Sequence, residues 1–376
     1  MESPRNQVTV IVEVIHRHFI WVILTSYVVA AALPGMGIWI RNANLGEAPA
    51  QGSGLVFSLP VLMLATLLFN AGLGVNTEEL RHLVQRPLVL LGGVAGNLAT
   101  PLTFILVLSL AMASWHNADE VQQILVGLAI VASMPIAGSS TAWAQNANGN
   151  LSLSLGLILL TTVLSPLLTP LVLHTVGFVT TGDYSEDLHG LASGGVGMFL
   201  GTWVILPSML GIGTRWFAGN QRITAAKPYI KLINYFVLVM LNYSNASLTL
   251  PQAVARPDPD LLALILVITV ALCVSTFAAG YLLGHIFRVS RDAMVSLMFG
   301  LGMNNNGTGL VLASMALANH PQVMLPIIFY NLVQHLVASF VDFAMFRQKP
   351  RAQAGAAIAA LNAGRRRPTD LSDPQS

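Results

Sequence analysis

The chain reads as an all-α polytopic membrane protein: ten transmembrane helices in two inverted five-helix repeats, with broken helices 4 and 9. Three observations predict this. Hydrophobic residues fill 54% of the 376 positions and charged residues only 9%, whereas a soluble domain is about one quarter charged. The apolar residues gather into long runs near the roughly 20 residues a membrane helix needs, far longer than the roughly 10 of a barrel strand and without alternation. Finally, of the 18 Lys and Arg, 16 fall on one side of the expected topology and only Arg41 and Arg256 on the other, a positive-inside pattern that places both termini in the cytoplasm.

The expected elements follow in order. Residues 1–18 form a cytoplasmic N-terminal segment. The first apolar run, 19–40, is too long for a signal-peptide core and no small-residue cleavage pattern follows it, so it reads as a retained span. The next runs are 55–75, 88–112, 122–144 and 151–177, which complete the first repeat at 19–177. Runs at 191–213, 229–248, 260–284, 292–318 and 322–346 form the second, 191–346, and residues 347–376 are a basic cytoplasmic tail. Matching runs start about 172 residues apart, and Asn70 and Asn242 share that offset. An odd number of helices per repeat inverts the second copy, the plan of many secondary transporters.

Two runs carry residues that disfavour a lipid-facing helix. In 122–144 the segment from Ala132 to Thr141 holds Pro135, Gly138, Ser139 and Ser140. Proline lacks an amide donor and clashes with the preceding turn. In 292–318 the stretch Gly300-Leu301-Gly302-Met303-Asn304-Asn305-Asn306-Gly307 concentrates glycine and asparagine. Backbone groups freed at membrane depth must face protein or a watery cavity. Carbonyl, hydroxyl and amide oxygens there suit a hard cation, and free N–H groups suit an anion. Close helix packing through small residues is the plainer alternative. Other polar residues inside the runs are Asn70, Asn97, Asn234, Asn242, Asn245, Thr161, Asn331, Gln334, His335 and Asp342.

The function classes narrow by what the chain lacks. No acidic residue lies between Glu120 and Asp183, or between Asp292 and Asp342. There is no zinc-ligand cluster, nucleophile elbow or phosphate-binding loop, so the chain is not read as an enzyme and no cofactor is expected. The lone cysteine, Cys273, makes an intrachain disulfide impossible, and the net charge of +2 gives no reason to expect nucleic acid. The expected partners are the lipid bilayer, an organic anion and, as coupling ion, Na⁺. The short loops suit a bacterial inner membrane.

Four stretches together resemble the bile acid:sodium symporter family: Phe69 to Gly74, Pro135 to Thr141, Ser165-Pro166-Leu167-Leu168-Thr169-Pro170, and Gly302 to Gly307. The resemblance covers roughly residues 15–346. It implies a panel of spans 1, 2, 6 and 7, a core of spans 3–5 and 8–10, and sodium-coupled import of organic anions. The implied sodium ligands are Ser140, Thr141 and Ser154 at one position and Asn97, Leu301, Met303 and Asn304 at the other. The anion would face Ser139, Asn242, Asn245 and Asn305. The chain departs from the family at Gly300, which stands where the family has a sodium-binding glutamate. Thr141 stands for an asparagine and Asn97 for a glutamine. Without that carboxylate a cation is costly to desolvate. The readings left open are Na⁺ symport through an atypical site, proton-coupled or uncoupled carriage, and a non-transporting sensor or scaffold.

Overall fold

The helices of the protein are interrupted where proline, glycine and asparagine fall, and these interruptions shape the fold. A computed structural model describes residues 7–47, 56–75 and 87–347. Helices α1 (Gln7–Arg17), α2 (Phe19–Ala32) and α3 (Gly35–Asn42) lead to a small antiparallel pair, β1 (Asn44–Glu47) and β2 (Val56–Ser58). Then come α4 (Leu59–Gly74), α5 (Pro87–Ala111), α6 (Ala118–Ser133), α7 (Ser139–Asn146) and α8 (Leu151–Gly177). Next are α9 (Asp183–Gly194), α10 (Val196–Leu200), α11 (Leu206–Ala218), α12 (Asn220–Ala246) and α13 (Leu250–Ala255). The last are α14 (Pro259–Ile286), α15 (Arg291–Gly302), α16 (Asn306–Ala316) and α17 (Met324–Val341).

This corrects the expected ten spans. Among the described residues six helices are long and apolar enough to cross a membrane: Pro87–Ser114, Leu151–Gly177, Val196–Ala218, Asn220–Ala246, Pro259–Ile286 and Pro321–Phe346. A seventh is reached only if Trp21–Ala32 and Gly35–Asn42, bent by 95°, count as one. Among the described residues no inverted five-helix repeat is evident. The physical reason is local. A hydropathy average runs straight across Pro34, where the first run turns sharply. The run 55–75 yields only the 16 residues of α4, about 24 Å at 1.5 Å per residue against a hydrocarbon core of about 30 Å. The runs 122–144 and 292–318, expected as broken spans 4 and 9, each form two separate helices, of 16 and 8 residues and of 12 and 11 residues. Most of the expected basic tail, and Arg81 and Arg86, lie outside the described residues.

The core centres on α6, which is buried without interruption from Ile124 to Ser133. It packs on α5, α8 and α17, while α14 packs on α15, α17 and α5. The long apolar helices make this a multi-pass membrane protein. Their exposed Leu88, Leu110, Leu167, Val267 and Phe340 suit a lipid surround.

Helices α4 and α11 cross with their backbones in contact. A Cβ at Gly211 would stand 2.9 Å from the Leu73 amide nitrogen and 3.0 Å from Gly72 Cα. Backbone cannot step aside as a side-chain tip can. Gly211→Val is therefore expected to destabilise the protein by about 1–3 kcal/mol through overpacking. Thermal unfolding in detergent measures this; an unchanged melting temperature would contradict the close crossing.

Candidate functional site

The site is built where α6 and α15 end. The residue before a proline avoids the helical region, and Met134, before Pro135, is extended at φ −80°, ψ 145°. Met303 ends α15 likewise, at φ −131°, ψ 108°. The two extended stretches pair antiparallel through Ile136 and Asn304. The Ala137 amide donates to the Met303 carbonyl at 2.9 Å, and the Asn305 amide to the Pro135 carbonyl at 2.9 Å. Two helix ends thus meet and satisfy part of each other's backbone.

Side chains from distant helices satisfy much of the rest, as buried helix ends require. At the end of α6, Asn304 Nδ2 donates to the Val131 carbonyl at 2.9 Å and Thr169 Oγ1 to the Ser133 carbonyl at 2.6 Å. The Ile136 amide donates to Thr161 Oγ1 at 3.2 Å. On the other stretch, Gln334 Oε1 accepts from the Asn304 amide at 3.1 Å and from Asn306 Nδ2 at 3.0 Å. Asn305 caps α16, its Oδ1 accepting from the Thr308 amide at 3.3 Å. The run Ser165 to Pro170 divides its labour. Pro166 cannot donate to the Thr162 carbonyl, and Ser165 Oγ does so instead at 2.7 Å, while Thr169 reaches across to α6.

The expected cation residues fall into three places. Thr141 Oγ1 and Ser154 Oγ are 3.2 Å apart, joining the start of α7 to that of α8. Ser140 beside them is fully buried and its hydroxyl has no partner. Asn97 lines a small cavity with Ser133, Pro135, Thr161 and Ser165. Its Oδ1 is buried without a partner, and Pro101 withholds the amide that would have bonded its carbonyl. Asn304 Oδ1 is likewise buried and unpartnered. Leu301 and Met303 are buried too, and the Met303 carbonyl is engaged by Ala137. Orphaned buried oxygens are rare, and several gathered around two helix ends could hold a cation. The surroundings of Gly300 oppose a strong site. A Cβ there would meet Leu157 Cδ1 at 3.1 Å and Ile136 Cδ1 at 3.9 Å, so leucine and isoleucine methyls crowd the position of the absent carboxylate.

The expected anion residues lie on neighbouring helices. Asn242 and Asn245 are buried near the end of α12, which packs on α16. Both polar atoms of the Asn245 amide lack partners, as does Thr308 Oγ1 on α16. Ser139 and Asn305 are half-buried.

The sequence noted Gln334, Thr161 and Asn331 only as polar residues in apolar runs, and did not single out Tyr27. In the structure they form part of the frame: Gln334 Nε2 donates to Asn331 Oδ1 at 3.4 Å, and Asn331 Nδ2 to the Tyr27 hydroxyl at 3.1 Å. The signal was present, since polar side chains inside apolar helices are costly unless paired.

Asn150 fastens the other end of the frame. It caps α8 through the Leu153 amide at 2.9 Å, and its Nδ2 donates to Asp292 Oδ2 at 3.1 Å. Hydrogen bonds, from Ser290 foremost and also from Asn150, hold the Asp292 carboxyl below the usual carboxylate range. A depressed carboxylate stabilises the fold above its unfolded pKa of about 3.9, and that contribution disappears as pH falls through the lower folded value. Asp292→Asn should therefore flatten the acid limb of a melting-temperature profile below about pH 4 and leave its neutral slope unchanged; an acid limb identical to the parent's would contradict this.

Comparison with known proteins gives three matches. The model of the sodium bile acid symporter family matches residues 61–256, just over half of the chain. An uncharacterized protein of Bacillus subtilis (strain 168), YbaS, is 27% identical over 302 residues, covering 77% of this chain and 90% of its own length. An uncharacterized sodium-dependent transporter of the same organism, YocS, is 23% identical over 328 residues, covering 85% of this chain and 93% of its own.

Proposed function

This chain belongs to the sodium bile acid symporter family, and on that premise we propose that it is a secondary transporter that carries an organic anion with Na⁺ through an atypical cation site. The family is one of transporters, and the chain is a transporter rather than an enzyme. The observation that carries the reading is the set of orphaned buried oxygens on Asn97, Ser140 and Asn304 around the paired helix ends. A cation there would satisfy oxygens that otherwise cost desolvation energy unrewarded. The description of YocS as sodium-dependent lends support.

The proposed Na⁺ ligands are Ser140, Thr141 and Ser154, and separately Asn97, Asn304 and the backbone at Leu301 and Met303. The proposed anion ligands are Ser139, Asn242, Asn245 and Asn305. An anion seated beside the cation supplies part of the charge that Gly300 withholds, so each binds better with the other present. By linkage the coupling is reciprocal. Occupation of both would permit movement of the paired helix ends against α12. We place both termini in the cytoplasm of a bacterial inner membrane, on the clustering of basic residues at 215–231 and after 346.

One observation favours a second reading. Leu157 crowds Gly300, as expected of a carrier that has abandoned Na⁺ and runs on protons or on the anion's own gradient. Equilibrium binding separates the two. Purified protein is titrated with Na⁺ alone, with taurocholate or a short monocarboxylate alone, and with both. Na⁺ symport predicts that each ligand tightens the other by the same factor. Anion binding indifferent to Na⁺ at constant ionic strength would support the second reading.

A further inference from the structure

Two histidines away from the paired helix ends converge on each other. His174 lies in the last turn of α8 and His189 in α9. Their Nδ1 atoms are 2.8 Å apart, with ring centroids 4.5 Å apart and planes inclined at 68°. Phe178 stands edge-on to both rings, at 4.8 Å from His174 and 5.1 Å from His189. Gly177 forms the seat of the His189 ring: a Cβ there would stand 2.7 Å from its Cε1 and 3.0 Å from its Nδ1. The two helices are fastened at this corner. Ser185 Oγ donates to the Gly177 carbonyl at 2.7 Å, and the Tyr184 hydroxyl to Asp119 on α6 at 2.8 Å.

A hydrogen bond between the rings accounts for the spacing in the absence of a ligand. The same spacing has a second property. Neighbouring ligand positions of a square-planar ion with bonds of about 2.0 Å are about 2.8 Å apart, whereas tetrahedral zinc at that bond length needs about 3.3 Å. The charge around the pair also suits a cation. Helix α6 carries Asp119 and Glu120 and helix α9 carries Asp183, Glu186 and Asp187, while no Lys or Arg occurs between Arg86 and Arg215. The C-terminal end of α8 adds the negative pole of its dipole.

We propose that His174 and His189 form a two-nitrogen site for a divalent ion of square-planar preference, Cu²⁺ or Ni²⁺, separate from the transport site. The donating ring moves its proton from Nδ1 to Nε2, both Nδ1 lone pairs turn to the metal, and water fills the remaining positions. No proton is released and no redox change is involved. The bound ion staples α8 to α9.

The test is Cu²⁺ titration of the tag-free full-length protein in detergent, followed by electron paramagnetic resonance. One Cu²⁺ coordinated by two imidazole nitrogens is expected. His174→Gln and His189→Gln should each weaken binding at least tenfold and leave a one-imidazole spectrum. Gly177→Ala keeps both ligands and favours helix, yet displaces the His189 ring, and should weaken binding as well. Melting temperatures without metal establish that the variants fold. Equal affinity in the parent and the histidine variants, a one-imidazole spectrum in the parent, or no binding beyond that of isolated surface histidines would each overturn the proposal.

Discussion

Gln334→Leu is expected to cost about 1–3 kcal/mol of stability and to reduce transport at least tenfold. Gln334 Oε1 is the acceptor for both the Asn304 amide and Asn306 Nδ2. Leucine fills a similar volume and supplies no acceptor, so two donors on the stretch after α15 lose their partner inside a buried region. An unpaired buried donor costs more than a made hydrogen bond contributes. Transport should suffer more than folding, because the lost bonds orient Asn304, a proposed Na⁺ ligand, and Asn306, and the side-chain oxygens of both are buried without partners. Gln334→Glu is the informative companion: it restores the acceptors and should recover part of the stability, the remainder being lost to the cost of burying its carboxyl and to the missing donor toward Asn331. Melting temperature and uptake measured on both variants decide the matter. Parent-like uptake in Gln334→Leu would remove Gln334 from the frame of the site.

The second large effect concerns Gly300. Gly300→Glu alone should misfold or melt early, because the new side chain would drive into Leu157 and overpacking costs about 1–3 kcal/mol. Paired with Leu157→Ala, which opens the space, the same carboxylate should strengthen Na⁺ binding. A gain of tenfold or more corresponds to about 1.4 kcal/mol, modest for a buried charge meeting its counter-ion. Na⁺ titration of the double variant against Leu157→Ala reads it directly. Equal Na⁺ affinity in the two would mean that the site does not lie beside residue 300.

How far the sequence discloses this molecule depends on the range of each interaction. Its membrane character is written in composition. Pro135 and the asparagines at 304–306 mark positions where the chain leaves the helical state, because their effects act within a few residues. The span count was not legible. Hydropathy averages over a window and passes straight through Pro34, Met134 and Met303, so it joined segments that the backbone keeps apart. It also credited 55–75 with a full span where α4 has 16 residues. Within the candidate site, the oxygens of Asn97, Ser140 and Asn304 could be named from residue type and resemblance. Gln334 could not, because its two partners lie 30 and 28 positions away in the chain and only the packing of α17 brings them together. The crowding of Gly300 by Leu157, 143 residues distant in sequence, was hidden for the same reason.

The central claim is that an anion and Na⁺ move together through a site lacking the family's carboxylate. Uptake of radiolabelled taurocholate and short monocarboxylates into proteoliposomes tests it most directly, with an inward Na⁺ gradient, an equal K⁺ gradient, or a pH gradient. The account predicts accumulation of at least one anion above equilibrium under the Na⁺ gradient alone, lost in Asn304→Leu. Uptake indifferent to Na⁺ and accelerated by the pH gradient would contradict it.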